Sequence, residues 1–346
     1  MDSITSGARG HGGYGWRYGL IDMSSNMNPL GTPGELIELI RECVNNGCYS
    51  HYPTELGDEL REALSTFEGV EPGITYVFNG ATEALQLLFM NLRPRRVVIP
   101  IPNYSDYLRL GRLVNSEVRL IEYWGRDDLA SLIINEAGPG TVVILSNPNS
   151  PMGYLIGRDQ LLVIAEELGR RGSVLIVDES FMDFVGDNQS LIRDAQQYDN
   201  VYVVKSYTKF LAIPGLRVGA VYTRNDIGEL VPTWPVNSIA EYAVSRYMGR
   251  AREFRELTIK YVEEERDRLI NSLKELGISV YESRTHYFVM KHEPWLGEEL
   301  LKHGILIRDL SNIPPLTRGY FRVSIRGVDV DNKFLSALLR VMQIKY

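Results

Sequence analysis

Three short stretches of the chain combine residue types that core formation alone does not bring together. In SVLIVDES, Asp178 stands at the carboxyl end of an apolar, β-branched run, where open α/β sheets bind ligands. A buried carboxylate in that place needs a cationic partner, because an unpaired buried charge is costly. In VYVVKSYTKFLAIPGLRVGA, Lys209 follows a second such run, with Ser206 three residues before it and Arg217 eight residues after it. A lysine amine attacks an aldehyde when desolvation and a neighbouring cation lower its pKa. Pro214 and Gly215 force a turn that can aim Arg217 back toward the same crevice. In YVFNGATEALQLLF, Gly80, Ala81 and Thr82 join a strand to a helix start. They offer backbone N–H groups and a hydroxyl to a phosphate at the positive end of that helix. The stretch is neither GxGxxG nor a P-loop, so both nucleotide signatures fail.

Two more segments end at the same sheet edge. LSNPNSPMG (145–153) runs a strand into a Pro- and Asn-rich turn, and Tyr104 in IPIPNYSDY follows another strand, where its ring can cover a planar ligand. Singly, each feature has an ordinary explanation: Asp178 as a helix cap or ion pair, Lys209 as a surface lysine, residues 80–82 as an N-cap, NPNSPMG as a turn, Tyr104 as core. Together they supply an amine nucleophile, a carboxylate, a phosphate cup, an arginine and a stacking ring. That set fits pyridoxal phosphate, with Lys209 for its aldehyde and Asp178 for its pyridine nitrogen. Gly80, Ala81 and Thr82 with Ser206 and Arg217 receive the phosphate, and Tyr104 covers the ring. The protein's task with such a cofactor is orientation and electrostatics.

The elements that position these residues read as strands at 97–101, 118–123, 141–146, 173–178, 201–206 and 217–223, alternating with helical patterns at 81–92, 159–171 and 190–198. Continuous apolar strands alternating with helices predict an α/β fold with a mainly parallel sheet. From about residue 239 a long charged segment of one or two helices precedes short strands and a final helix, the pattern of a smaller α+β domain. The expected division is a large cofactor-binding domain at 35–235, and a small domain made of the arm 1–34 with 236–346. The 346 residues are 44% hydrophobic and 23% charged, and 37 Lys plus Arg against 44 Asp plus Glu give a net charge of −7. An acidic chain without a basic block is a poor nucleic-acid binder, although one pocket can still gather several arginines. Cys43 and Cys48 are too few for a disulfide framework or four zinc ligands, which points to a reducing compartment. No signal-peptide core or membrane-length apolar run is present, so no membrane partner and a cytoplasmic location are expected.

On these motifs the chain resembles the fold-type I, aspartate-aminotransferase-like enzymes over nearly its whole length. The matching segments are HGGYG (11–15), SSNMNPLGTP (24–33), HYPTELGDELREAL (51–64), NGATEAL (79–85), NPNSPMG (147–153), VDESFMDF (177–184), SYTKFLAIPGLRVG (206–219) and YFRVSIR (320–326). Within that superfamily it is similar to the branch of histidinol-phosphate aminotransferase and threonine-phosphate decarboxylase. The HGG opening, the segment Asp22 to Gly31 and TKFLAIPGLRVG lean toward the decarboxylase.

The resemblance implies a homodimer with shared active sites, in which Tyr52 reaches the cofactor phosphate of the neighbouring subunit. It implies that Arg322 clamps a substrate carboxylate, and that His11, Asn26, Arg308 and Arg326 are candidates for the far, phosphorylated end of a small amino-acid or amine substrate. Two positions depart from relatives. Ser150 stands where an Asn donates to the cofactor's ring hydroxyl, and Phe181 stands where many carry a Tyr bonded to the same oxygen. The implied activity is decarboxylation of O-phospho-L-threonine to (R)-1-amino-2-propanol O-2-phosphate, in cobalamin side-chain synthesis. The alternative is a histidinol-phosphate aminotransferase or a related class I/II aminotransferase. The two differ in which α-carbon bond stands perpendicular to the cofactor ring.

Overall fold

A computed structural model describes residues 12–124 and 128–345. Its strands, in chain order, are β1 (Ile21–Asp22), β2 (Thr75–Phe78), β3 (Arg96–Ile101), β4 (Glu117–Glu122), β5 (Thr141–Ser146), β6 (Val174–Asp178), β7 (Val201–Ser206), β8 (Gly219–Tyr222), β9 (Ser279–Val280), β10 (Tyr287–Lys291), β11 (Ile305–Leu306), β12 (Arg308–Asp309) and β13 (Tyr320–Ser324). Seven of them form one sheet in the order β2-β8-β7-β6-β5-β3-β4, in which only β8 runs antiparallel to its neighbours. The mainly parallel α/β fold read from the sequence is present.

Both faces of this sheet are covered, which is why its central strands read as unbroken apolar runs. Alternate residues take opposite faces. Val97, Ile99, Val142, Ile144, Ile176 and Val204 share a core with Leu85, Leu88 and Phe89 of the helix Ala81–Leu92. Val98, Val143, Leu145, Leu175, Val177 and Val203 share another with Leu161, Ile164 and Leu168 of the helix Arg158–Arg170. The edge strand β4 exposes Glu117, Arg119 and Glu122, charges that discourage pairing with another chain. On the second face, Lys205 in β7 is buried and bonded to Glu68 (2.6 Å) and Asp183 (2.9 Å).

The carboxyl-terminal part carries a four-stranded antiparallel sheet, β12-β13-β10-β9. The segment 305–309 divides there: β11 pairs in parallel with β1 near the chain start, while β12 pairs with β13. The long charged segment forms two helices, Ser238–Tyr247 and Ala251–Glu275.

Two expectations change. Residues 190–198 form turns and no helix. The Leu191 N–H and the Ser190 hydroxyl are both bound by the buried Glu179 carboxylate, and Asp194 is drawn into an ion pair with Arg158. Cys43 and Cys48, read from the sequence as evidence for a reducing compartment, are joined in a disulfide with Cα atoms 5.2 Å apart. The end of the helix Gly34–Asn45 and the turn that follows it bring them together. Among the described residues, no helix is long and apolar enough to cross a membrane.

Candidate functional site

Ser146, Asp178 and Ser206 are the last residues of β5, β6 and β7. All three line a cavity of about 520 Å³ at that edge of the sheet, together with Ala81, Thr82, Tyr104, Ser150, Lys209, Arg217, Arg308, Arg322 and Asn26. The Asp178 carboxylate accepts from the Tyr107 hydroxyl (2.8 Å) and from both the hydroxyl and the N–H of Ser180. Burial raises its pKa, and the hydrogen bonds from Ser180 and Tyr107 oppose that rise. Lys209 sits in the single helical turn Tyr207–Phe210 that leaves β7. Burial and then the charge of Arg217 lower its pKa to about 8. The segment after Asn26 rests on this turn: the Asn28 N–H donates to the Lys209 carbonyl (3.1 Å), and the Asn28 amide donates to that of Phe210 (2.8 Å).

The proposed phosphate cup is assembled from three elements. The helix Ala81–Leu92 presents its N-terminus, the Ser206 and Thr208 hydroxyls lie 2.8 Å apart, and Arg217 closes the third side. Arg217 holds a left-handed backbone, φ +57°, a conformation that side chains rarely adopt and that clusters at functional sites. Gly80, at φ +85°, has no side chain for good reason: a β-carbon there would collide with the Arg217 guanidinium. Tyr104 contacts Tyr107 edge-on, ring centroids 5.4 Å apart. Burial, and then Asp106 and Asp178, push its phenol well above the ordinary range, so it stays protonated.

At the far end, Arg322 donates to the Ser24 carbonyl (3.0 Å), while its Nε is buried without a partner. Burial lowers its pKa to about 10. Arg308 donates to the Asn312 side chain (2.8 Å) and the Asp309 carbonyl, and burial lowers its pKa too. Asn26 accepts from the Ser324 hydroxyl (2.7 Å). Lys209, Arg217, Arg308 and Arg322 therefore share the cavity with one described carboxylate, Asp178. Such a concentration of positive charge favours an anionic ligand.

Other candidates are placed elsewhere. Arg326 is not among the cavity's lining residues; its backbone N–H donates to Asp331 (3.0 Å) and its Nη1 is buried without a partner. Tyr52 is 77% exposed, stacked on Trp234 at 4.1 Å and outside the cavity. His11 lies outside the described residues. Ser150 and Phe181 line the cavity, with Phe181 edge-on to Tyr287 at 5.0 Å. Tyr107, Ser180 and Thr208 were not singled out in the sequence. Tyr107 lies in the first turn of the helix Asp106–Leu113, three residues after Tyr104, and Thr208 lies between Ser206 and Lys209.

A lysine with a lowered pKa, a buried carboxylate held by neutral donors, and a cup of hydroxyls, helix N-terminus and arginine fit pyridoxal phosphate. That chemistry fits the donor set residue by residue. The known-protein comparisons point the same way. The family model for aminotransferase class I and II matches residues 18–336. The chain is 31% identical to the threonine-phosphate decarboxylase of Salmonella typhimurium, covering 93% of this chain and 91% of that one. The structure is similar to that of L-threonine-O-3-phosphate decarboxylase from Porphyromonas gingivalis (TM-score 0.83, 25% identity, covering 94% of this chain and 100% of that one). It is also similar to the histidinol-phosphate aminotransferase from Clostridium acetobutylicum (TM-score 0.84, 26% identity, covering 94% and 100%).

Proposed function

Because the chain belongs to the aminotransferase class I and II family, a family of pyridoxal-phosphate-dependent enzymes, we propose that it decarboxylates O-phospho-L-threonine to (R)-1-amino-2-propanol O-2-phosphate. The observation that carries this reading is the cation excess of the cavity. Lys209, Arg217, Arg308 and Arg322 face one carboxylate, which suits a cofactor phosphate, a substrate phosphate and a substrate carboxylate. Pyridoxal phosphate, when bound, supplies the electron sink for a bond at the substrate's α-carbon. Lys209 would hold the cofactor's aldehyde, and its amine, with a pKa lowered to about 8, is suited to moving a proton near neutrality. Asp178, kept in place by Tyr107 and Ser180, pairs with the pyridine nitrogen. Gly80, Ala81, Thr82, Ser206 and Arg217, together with Thr208, would hold the cofactor phosphate, and Tyr104 would cover the ring. Arg322 clamps the substrate carboxylate bidentately, and Arg308 with Asn26 receives the phosphate ester.

The same reading divides the chain into a cofactor domain at 35–235 and a second domain of 1–34 with 236–346. It also makes the protein a homodimer. The exposure of Tyr52, away from its own cavity, supports its service to a neighbouring subunit. Incubation of the cofactor-loaded enzyme with O-phospho-L-threonine is expected to release carbon dioxide with no added 2-oxoglutarate. A strict requirement for that co-substrate, with histidinol phosphate as amino donor, sinks this reading in favour of transamination. Lys209→Ala should abolish both turnover and the cofactor's visible absorption band; unchanged turnover would refute the site assignment.

A further inference from the structure

A compact set of hydrogen bonds joins the start of the described chain to the carboxylate clamp, and the proposed chemistry does not use it. Asp22 Oδ2 accepts from the Gly15 N–H at 2.8 Å. Asp22 Oδ1 accepts from both the N–H (2.9 Å) and the hydroxyl (2.6 Å) of Ser24. Ser24 Oγ, its proton directed at Asp22, accepts in turn from the Gly13 N–H at 2.9 Å. The Ser24 carbonyl accepts from Arg322 Nη2 at 3.0 Å. One carboxylate thus orders a stretch of backbone on one side and a guanidinium on the other, through charge-assisted bonds.

The approach is too close for side chains. A β-carbon at Gly12 would lie 2.5 Å from Ser24 Oγ, and one at Gly15 would lie 2.7 Å from Asp22 Cβ. Gly12, Tyr14 and Ser24 line the same cavity as Arg322, whereas Asp22 does not. The strand bearing Asp22 is anchored independently, since the Ile21 and Met23 N–H groups donate to the carbonyls of Gly304 and Leu306, and the Ser324 N–H donates to the Met23 carbonyl.

We propose that Asp22 is a positioning residue for substrate binding: through Ser24 it holds the Gly12–Gly15 wall of the cavity and the Arg322 guanidinium in one fixed relation. A carboxylate is received bidentately only where the plane of the guanidinium is set. The bond from Nη2 to the Ser24 carbonyl sets that plane where Arg322 lines the cavity. The inference rests on Arg322 being the carboxylate site.

Asp22→Ala tests it, with Asp22→Asn as the variant that keeps an acceptor for Ser24 and turns an amide N–H toward Gly15. In cofactor-loaded enzyme, O-phospho-L-threonine binding is followed by the change in visible absorption and turnover by carbon dioxide release. Asp22→Ala is expected to raise Kd and KM about tenfold while kcat stays within about twofold, with Asp22→Asn between it and wild type. Without substrate, tryptic cleavage after the exposed Arg17 should be severalfold faster in Asp22→Ala. Wild-type affinity together with wild-type cleavage overturns the proposal, as does a fall in kcat at unchanged KM. If wild type itself gives no response to O-phospho-L-threonine, the proposed function falls, and cleavage after Arg17 alone decides whether Asp22 holds the wall. Should Asp22→Ala fail to fold, Asp22→Asn and Ser24→Ala decide by the same readouts.

Discussion

Lys205 and Lys209 stand four residues apart and meet opposite environments. Burial works against a charge on Lys205, yet the Asp183 and Glu68 carboxylates hold its pKa above the ordinary value. Lys209 has no such partner among the described ion pairs, and burial with Arg217 brings it down to about 8. Only the second can serve as a nucleophile near neutrality. Below that value Lys209 carries a proton and cannot attack, so capture of pyridoxal phosphate by cofactor-free protein is expected to quicken with rising pH and level off above about 8. The visible band of the captured cofactor reports the rate, and a midpoint near the ordinary lysine value of 10.5 would contradict the assignment. Lys209 and Asp178 were readable in the sequence because a charge at the end of an apolar strand is conspicuous. Tyr107, Ser180 and Thr208 were not, because a hydroxyl in a turn or on a helix has many ordinary reasons to be there, and only the fold shows which oxygen it meets.

At the scale of elements, the buried group beneath β7 ties three of them together. Lys205 bonds Glu68 at the end of the helix Asp58–Glu68 and Asp183 after β6, and the Tyr207 hydroxyl also donates to Glu68 (2.7 Å). Removing one member of a buried pair leaves the other unpaired, so Lys205→Met is expected to cost about 3–5 kcal/mol of stability, read by urea denaturation. Next to Asp178, Glu179 is fully buried, and burial raises its pKa to about 8 against hydrogen bonds from Ser190 and Leu191. Between pH 4.5 and 8 the folded protein keeps a proton that the unfolded chain has lost. Glu179 therefore contributes stability that is present below that window and is lost as pH rises through it. Glu179→Gln keeps an acceptor without titrating, and should flatten the fall in urea midpoint between pH 5 and pH 8; an equal fall in both proteins refutes this. The same carboxylate is one of the distant partners of the segment 190–198, whose apolar periodicity misled. It binds the Leu191 N–H, a long-range preference that no local pattern records, whereas the sheet strands, decided by burial on both faces, were readable to within a residue or two.

At the scale of the molecule, the proposed dimer makes a prediction that one chain cannot satisfy. If Tyr52 serves the partner's cofactor, Tyr52→Ala and Lys209→Ala each damage every site of their own homodimer. Mixed by unfolding and refolding together, they should regain about a quarter of wild-type activity, because half the dimers are hybrids and each hybrid has one intact site. No recovery on mixing would place Tyr52 outside a shared site. The motif around Tyr52 marked it as a candidate, but its exposed position beside Trp234 was beyond reach of sequence reasoning, as was the absence of Arg326 from the cavity lining. The pairing of β1 with β11 has one more consequence, for the order in which a ribosome completes this protein. The cofactor end of the cavity, from Ala81 to Arg217, has been synthesised when the partners of residues 21–24 are still unmade. Arg322, to which the Ser24 carbonyl is bonded across 298 residues of chain, emerges roughly a hundred residues later, about 5 to 20 seconds at ordinary elongation rates. A nascent chain therefore carries its own residues for the cofactor before it carries the guanidinium proposed to clamp the substrate carboxylate.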